Sequence, residues 1–184
     1  MRRSCTFLIA FWERLAFYES LWNGAPSVYA DYDKTKQTVL SLKSYIDAQP
    51  KSIQLCHIDA VPDNFLFVTG KDGSEEVKLT DWEYAGMQDP HLDVAMFIIY
   101  AMYDRDSAEK LIDLYFSDGC DKATRLKIYC YIAVSGLVWS NWCEFKRHCG
   151  VEFGAYAQRQ YDYAREYTKI FFKEYREAFG RDYV

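Results

Sequence analysis

The sequence predicts an α+β fold that is mainly helical and carries one small β-hairpin. Three observations support this fold class. Apolar residues recur at helical spacing before residue 50, and again from residue 90 almost to the end. Between these regions, two strand-like runs flank a turn at residues 70–74. No internal repeat or low-complexity linker interrupts the 184 residues, so we expect a single domain over residues 1–184.

Two helices are predicted ahead of the strands. Residues 6–21 mix aromatic and aliphatic side chains, and the sequence NGAP at residues 23–26 breaks that helix. Residues 33–48 carry apolar side chains at helical spacing, with Asp33 as the expected N-cap. Pro50 closes this second helix because proline cannot continue it.

The middle of the chain changes to short strands, after which helical patterns return. Residues 52–56 form a first strand candidate, and residues 64–69 and 76–80 form a hairpin across the turn. After Pro90 we predict four helices, at residues 92–103, 107–116, 122–146 and 153–179.

The charge argues against a nucleic-acid partner and favours a small cation. The 22 basic and 27 acidic residues give a net charge of −5, and no basic run extends beyond Arg2 and Arg3. The longest uncharged helical run, residues 128–143, falls short of the ~20 residues that span a bilayer. We therefore expect no membrane partner, and we expect this run to be a buried core helix.

The N-terminus and the cysteines indicate a cytoplasmic protein. The apolar stretch at residues 5–12 is short, charged residues follow it, and no cleavage site is visible, so a signal peptide is not expected. The six cysteines form no C-x-x-C pair, and only three histidines are present. We interpret the cysteines as reduced thiols rather than as disulfides or zinc ligands.

Two polar clusters flank the hairpin and suggest phosphoryl transfer. His57, Asp59 and Asn64 form an H-x-D-x-x-x-x-N pattern after the first strand, while Asp81 and Glu83 follow the returning strand. A hairpin brings its two ends together, so these groups can face each other. One carboxylate could then accept a hydroxyl proton, while an amide oxygen and a second carboxylate hold Mg²⁺. Alternatively, these residues are ordinary turn and capping polars.

The strings LCHIDAVPDNFLF and LTDWEYAGMQDPHLDVAMF resemble the C-terminal lobe of choline and ethanolamine kinases. This family belongs to the aminoglycoside phosphotransferase-like branch of the protein-kinase-like fold, and its bacterial choline kinases look most similar. The resemblance covers about residues 11–172. It implies transfer of the ATP γ-phosphate to the hydroxyl of a small amino alcohol, with ATP as co-substrate and Mg²⁺ as cofactor.

The same resemblance assigns roles to individual residues. Asp59 would be the catalytic base, His57 would orient the catalytic loop, and Asn64 and Asp81 would bind Mg²⁺. The family's extended second motif would include three further acidic residues: Glu83, Asp89 and Asp93. Asp93 would have a structural role and tie a helix to the catalytic loop.

One departure from the family pattern is large. Kinases of this type carry an ATP-covering lobe ahead of these motifs, with a glycine-bearing hairpin and a lysine on a strand. Only 56 residues precede His57, their pattern is helical, and no G-x-G pair occurs. We therefore expect that the ATP-binding lobe is absent from this chain and that the chain alone is inactive.

The aromatic residues, 18% of the chain, suggest the substrate. Trp139 and Trp142 are three residues apart on one predicted helix, so they share a face. Tyr156 opens the next helix, and Tyr100 and Tyr103 lie on an earlier one. Rings converging from three helices would attract a quaternary ammonium such as that of choline, although core packing is the ordinary role of such pairs.

The sequence leaves two alternatives to an amino-alcohol kinase. An aminoglycoside kinase would present several carboxylates to a polyamine instead of aromatic faces. A non-catalytic module would keep the small-molecule pocket without nucleotide chemistry. Residue types alone do not separate choline from ethanolamine.

Overall fold

The computed structural model describes residues 7–183, with the side chains of residues 7–10 excepted. Cys5, the Arg2 and Arg3 pair and the first residue of the predicted 6–21 helix lie outside this range. The described chain forms seven α-helices: α1 (Phe7–Ser20), α2 (Tyr32–Ser41), α3 (Lys43–Ala48), α4 (His91–Tyr100), α5 (Arg105–Tyr115), α6 (Lys122–His148) and α7 (Ala155–Phe179).

Four short strands form two separate antiparallel pairs in the described range: β1 (Gln54–Cys56), β2 (Phe65–Thr69), β3 (Glu75–Leu79) and β4 (Gly86–Gln88). The hairpin of β2 and β3 was predicted, and its register places Phe65 opposite Leu79. Strand β4, which pairs with β1, was not predicted. It is only three residues long and begins with glycine, so its sequence carries no strand pattern.

The core is built around α6, whose uncharged run is buried as expected. This helix packs against α7, α4 and α1. Its contact with α7 is very close, because a Cβ added at Gly136 would lie 2.7 Å from the Gln160 carbonyl oxygen. No helix in residues 7–183 is long and apolar enough to cross a membrane. The five cysteines within the described range are free thiols.

The second predicted helix is divided into α2 and α3. The break falls at Leu42, whose backbone N–H donates to the Val39 carbonyl three residues back instead of four. Asp31, rather than the predicted Asp33, occupies the N-cap position of α2. The Asp31 carboxylate accepts a hydrogen bond from the Tyr161 hydroxyl at 2.9 Å, which connects the start of α2 to α7.

Candidate active site

A carboxylate at the start of α4 holds the loop that follows β1. Asp93 accepts the backbone N–H of His57 on Oδ2 at 2.8 Å and that of Ile58 on Oδ1 at 2.7 Å. Ile58 has a φ of +71°, a left-handed conformation that is costly for a β-branched residue. Asp93 therefore fixes a strained backbone turn immediately before Asp59.

His57 links the two polar clusters. Its side chain is buried, and Nε2 donates to the Thr80 carbonyl oxygen at 2.8 Å. Since a carbonyl can only accept, this bond places the ring proton on Nε2. The ring also packs edge-on against Trp82, with centroids 4.8 Å apart. The loop after β1 is thereby attached to the segment that follows β3.

Asn64 and Asp81 lie at the base of the hairpin. The Asn64 carbonyl oxygen accepts both the backbone N–H of Thr80 at 3.0 Å and the Thr80 hydroxyl at 3.2 Å. The Asn64 amide Nδ2 donates to the Asp59 carbonyl oxygen at 2.9 Å. Asp81 directly follows Thr80 and has a φ of +62°. The backbone thus brings the first cluster next to the second.

The chemistry of these two side chains fits Mg²⁺. The Asn64 Nδ2 bond leaves Oδ1 of that amide as a potential ligand. Asp81 is exposed, and no described residue forms an ion pair with its carboxylate. No group of three or more His, Cys, Asp or Glu side chains suited to a metal occurs in residues 7–183. Two protein oxygens are nevertheless a usual share for Mg²⁺, whose other ligands are water and substrate phosphates.

A pocket of about 290 Å³ opens beside Asp59. Its walls come from α1, the loop after β1, the turn after β3, α4, α6 and α7. The lining consists of two carboxylates and six aromatic rings: Asp59, Glu83, Tyr18, Tyr84, Tyr100, Trp139, Trp142 and Tyr156.

The structure thus brings six of the residues named from the sequence to one pocket. Asp59 and Glu83 come from the two polar clusters, and Tyr100, Trp139, Trp142 and Tyr156 come from three helices. His57, Asn64, Asp81 and Asp93 lie outside the lining.

Among the other tyrosines, Tyr18 and Tyr84 line the pocket and Tyr103 does not. Tyr103 does not line the pocket, because its ring packs on Phe97 and its carbonyl accepts the Tyr163 hydroxyl at 2.6 Å. Tyr84 and Tyr18 were missed. Tyr84 directly follows Glu83, which could have pointed to it, whereas nothing distinguishes Tyr18 from the other aromatic residues of α1.

Trp139 lies at the centre of the aromatic wall. Its ring centroid is 5.9 Å from that of Tyr100, 5.9 Å from that of Trp142 and 6.3 Å from that of Tyr18. The rings are tilted to one another rather than stacked, and all of them line the same pocket. Such an arrangement suits a cation that contacts ring faces on more than one side.

The pocket favours positive charge. Burial raises the pKa of the Tyr100 and Tyr156 hydroxyls, and the Asp59 charge raises both further. Burial also raises the pKa of Tyr84, with Glu83 and Asp59 adding to the effect. These phenols therefore stay neutral at physiological pH. Lysine and arginine are absent from the described lining, although the nearby Arg14 charge acts in the opposite direction and lowers the pKa of Tyr84.

Comparison with known sequences identifies the family. The sequence model of the choline/ethanolamine kinase family matches residues 8–118, more than half of the chain. The chain belongs to the choline/ethanolamine kinase family. Protein LicA of Haemophilus influenzae strain Rd is 30% identical over 121 residues, which cover 59% of this chain and 41% of that protein.

Solved structures agree with this membership. Choline kinase LicA from Streptococcus pneumoniae superposes with a TM-score of 0.68 and 28% identity, covering 87% of this chain and 55% of that one. A choline/ethanolamine kinase family protein from Mesorhizobium loti has a TM-score of 0.73 and 23% identity, covering 86% of this chain and 54% of that one. The predicted fold is confirmed, and the chain spans about half the length of these relatives.

Proposed function

We propose that this chain is the catalytic-loop and substrate-binding lobe of a choline kinase, and that it forms a single domain. The parent reaction transfers the γ-phosphoryl group of ATP to the hydroxyl of a small amino alcohol, most favourably choline. One observation carries this proposal: the Asp59 carboxylate lines the same 290 Å³ pocket as Trp139, Trp142 and Tyr156.

The two ends of choline match the two kinds of wall. A trimethylammonium group donates no hydrogen bonds, so it gains from ring faces and from nearby carboxylates rather than from specific acceptors. Its hydroxyl is only two carbon atoms away from the nitrogen. With the ammonium against Trp139 and Trp142, the hydroxyl of so short a molecule stays within the pocket that Asp59 lines.

Asp59 is the proposed base for the transfer. The choline oxygen forms a bond to the γ-phosphorus, the bond from this phosphorus to the bridging oxygen breaks, and ADP leaves. The hydroxyl proton passes to the Asp59 carboxylate. Bound at Asn64 and Asp81, Mg²⁺ would neutralise charge on the phosphates. The Asp93 and His57 hydrogen bonds support a positioning role for both residues, since they fix the loop around Asp59.

We further propose that the 184-residue chain alone transfers no phosphate. Phosphoryl transfer depends on a positioned nucleotide. From residue 7 to residue 53 the described chain has helices and loops only, without a sheet to cover ATP. Purified protein should therefore release no ADP in a choline-dependent manner. Choline-dependent ADP release from this chain would contradict the inactivity.

Calorimetric titration with choline tests the pocket without requiring turnover. We expect the wild type to bind choline, and Trp139→Leu to bind it at least tenfold more weakly, because a desolvated cation–π contact contributes about 2 kcal/mol and tenfold corresponds to about 1.4 kcal/mol. Trp12→Leu is the matched control, since Trp12 is only partly buried and lies outside the lining. Thermal melts verify that both variants fold.

The alternatives predict different outcomes of the same titration. Equal choline affinity in folded Trp139→Leu and wild type would return Trp139 to a purely packing role. A clear preference for a polyamine over choline would favour an aminoglycoside kinase, and it would refute the amino-alcohol assignment.

A further inference from the structure

Helix α1 supplies a pocket residue that belongs to neither polar cluster. Tyr18 lines the cavity, and its ring lies 6.3 Å from that of Trp139 at an interplanar angle of 43°. The preceding residue, Phe17, is 56% exposed and lies outside the lining. Two neighbouring rings on one helix therefore have different environments, and only Tyr18 faces the pocket.

The position of Tyr18 is fixed by the packing of α1 on α6. Leu15 and Trp22, on either side of Tyr18, are both buried. The Trp22 indole N–H donates to the Asn141 carbonyl oxygen at 3.1 Å, and the Asn141 amide donates to the Leu15 carbonyl oxygen at 3.4 Å. Since α6 also carries Trp139, these contacts hold the Tyr18 ring at a set distance from the aromatic wall.

Tyr84 is the exposed ring of the pocket lining, whereas Tyr18 is partly buried like the other four rings. Tyr84 is 44% exposed and comes from the short turn Trp82–Tyr84. Tyr18 is near enough to contribute to the raised pKa of Tyr84, after burial, Glu83 and Asp59. A ligand seated against Trp139 would therefore have the Tyr18 ring beside it on the α1 side of the pocket.

We propose that Tyr18 is a specificity-determining residue that selects a methylated ammonium over a primary one, an inference that rests on the proposed function. A primary ammonium obtains its stabilisation from hydrogen bonds to carboxylates and water. A trimethylammonium group has no such bonds, so it depends on ring contacts that surround it and exclude water. Removal of the Tyr18 ring therefore weakens choline binding more than ethanolamine binding.

Titration of choline and of ethanolamine into four proteins tests this inference: wild type, Tyr18→Leu, Tyr18→Phe and the control Phe17→Leu. We expect Tyr18→Leu to weaken choline binding by roughly tenfold and ethanolamine binding by less than about threefold, the scale of one ring contact. Tyr18→Phe keeps the ring face, so its choline-to-ethanolamine ratio should stay near that of the wild type. Phe17→Leu removes a ring 5.6 Å from that of Tyr18 but keeps the Tyr18 ring itself, so its choline-to-ethanolamine ratio should also stay near that of the wild type.

The possible failures are distinguishable. Wild-type protein that binds neither amine refutes the proposed function, and with it the selection by Tyr18, before any variant is made. Wild type that binds choline, together with an unchanged ratio in Tyr18→Leu, refutes only the role of Tyr18. Thermal melts accompany each titration, and Tyr18→Gln serves as a second ring deletion should the leucine variant unfold.

Discussion

Replacement of Asp93 by asparagine should destabilise the fold through the loop that follows β1. In the wild type, two carboxylate oxygens accept the N–H groups of His57 and Ile58 at 2.8 and 2.7 Å. Asparagine has one oxygen acceptor, so one of these two N–H groups loses its partner and faces an amide donor. The surviving bond also loses its charge.

The expected cost follows from these contacts. An unsatisfied buried N–H costs about 1–3 kcal/mol, and the change of the other bond from charged to neutral costs about 1 kcal/mol. The removal of a negative charge from the first turn of α4 adds about 0.3–1 kcal/mol. The free energy of unfolding should therefore fall by about 2–5 kcal/mol, and Tm by roughly 5–20 °C for a domain of this size.

Asp106→Asn is the matched control, because Asp106 also lies in the first turn of a helix, α5, and is exposed. The Asp106→Asn variant should lose only the interaction of a negative charge with the N-terminal end of the helix dipole, at most about 1 kcal/mol of the free energy of unfolding. Urea unfolding followed by circular dichroism measures both variants. If Asp93→Asn loses no more stability than Asp106→Asn, then Asp93 does not hold the loop, and the positioning role proposed for it fails.

Three further predictions concern the core. Lys127→Met should lower the free energy of unfolding by ~3–5 kcal/mol, because it leaves the buried Asp89 carboxylate without the lysine ammonium that lies 2.7 Å away. Adding Asp89→Asn to the Lys127→Met protein should restore part of this loss, and urea unfolding measures both proteins. Gly136→Ala should lower the free energy of unfolding by about 1–3 kcal/mol or more in the same assay, because the new Cβ would lie 2.7 Å from an α7 carbonyl oxygen. Gly86→Ala is the control and should lower it little, since the space around Gly86 is open. Burial, together with the Lys127 charge, lowers the pKa of His91 in the folded protein, so the unfolded chain binds a proton on this imidazole more readily. The free energy of unfolding should therefore fall as pH drops below about 6.5. His91→Asn should reduce that fall in thermal melts across pH 5–8.

Features encoded by short stretches of sequence could be predicted. The β2–β3 hairpin has two short strand-like runs on either side of a glycine turn, and α6 has a long uncharged helical run. Strand β4 and the break at Leu42 could not be predicted in the same way. A three-residue strand owes its pairing to β1, 30 to 34 residues earlier, so it is a consequence of tertiary contacts rather than of local propensity. The break falls at Leu42, a residue buried in the core, and neither proline nor glycine marks it in the sequence.

The candidate site shows the same division between local and distant causes. The bonds among His57, Asn64, Thr80 and Asp93 connect residues at most 36 positions apart. The hairpin in the sequence predicts that its two ends meet, and the family resemblance predicts that Asp93 ties its helix to the loop. The pocket joins Tyr18 to Trp139 across more than a hundred residues, through the packing of α1 on α6. Motif residues therefore set the geometry around Asp59, while helix packing sets the shape of the space beside it. Substitutions of the first kind should alter the stability of the loop around Asp59, and those of the second kind should alter which amine is bound.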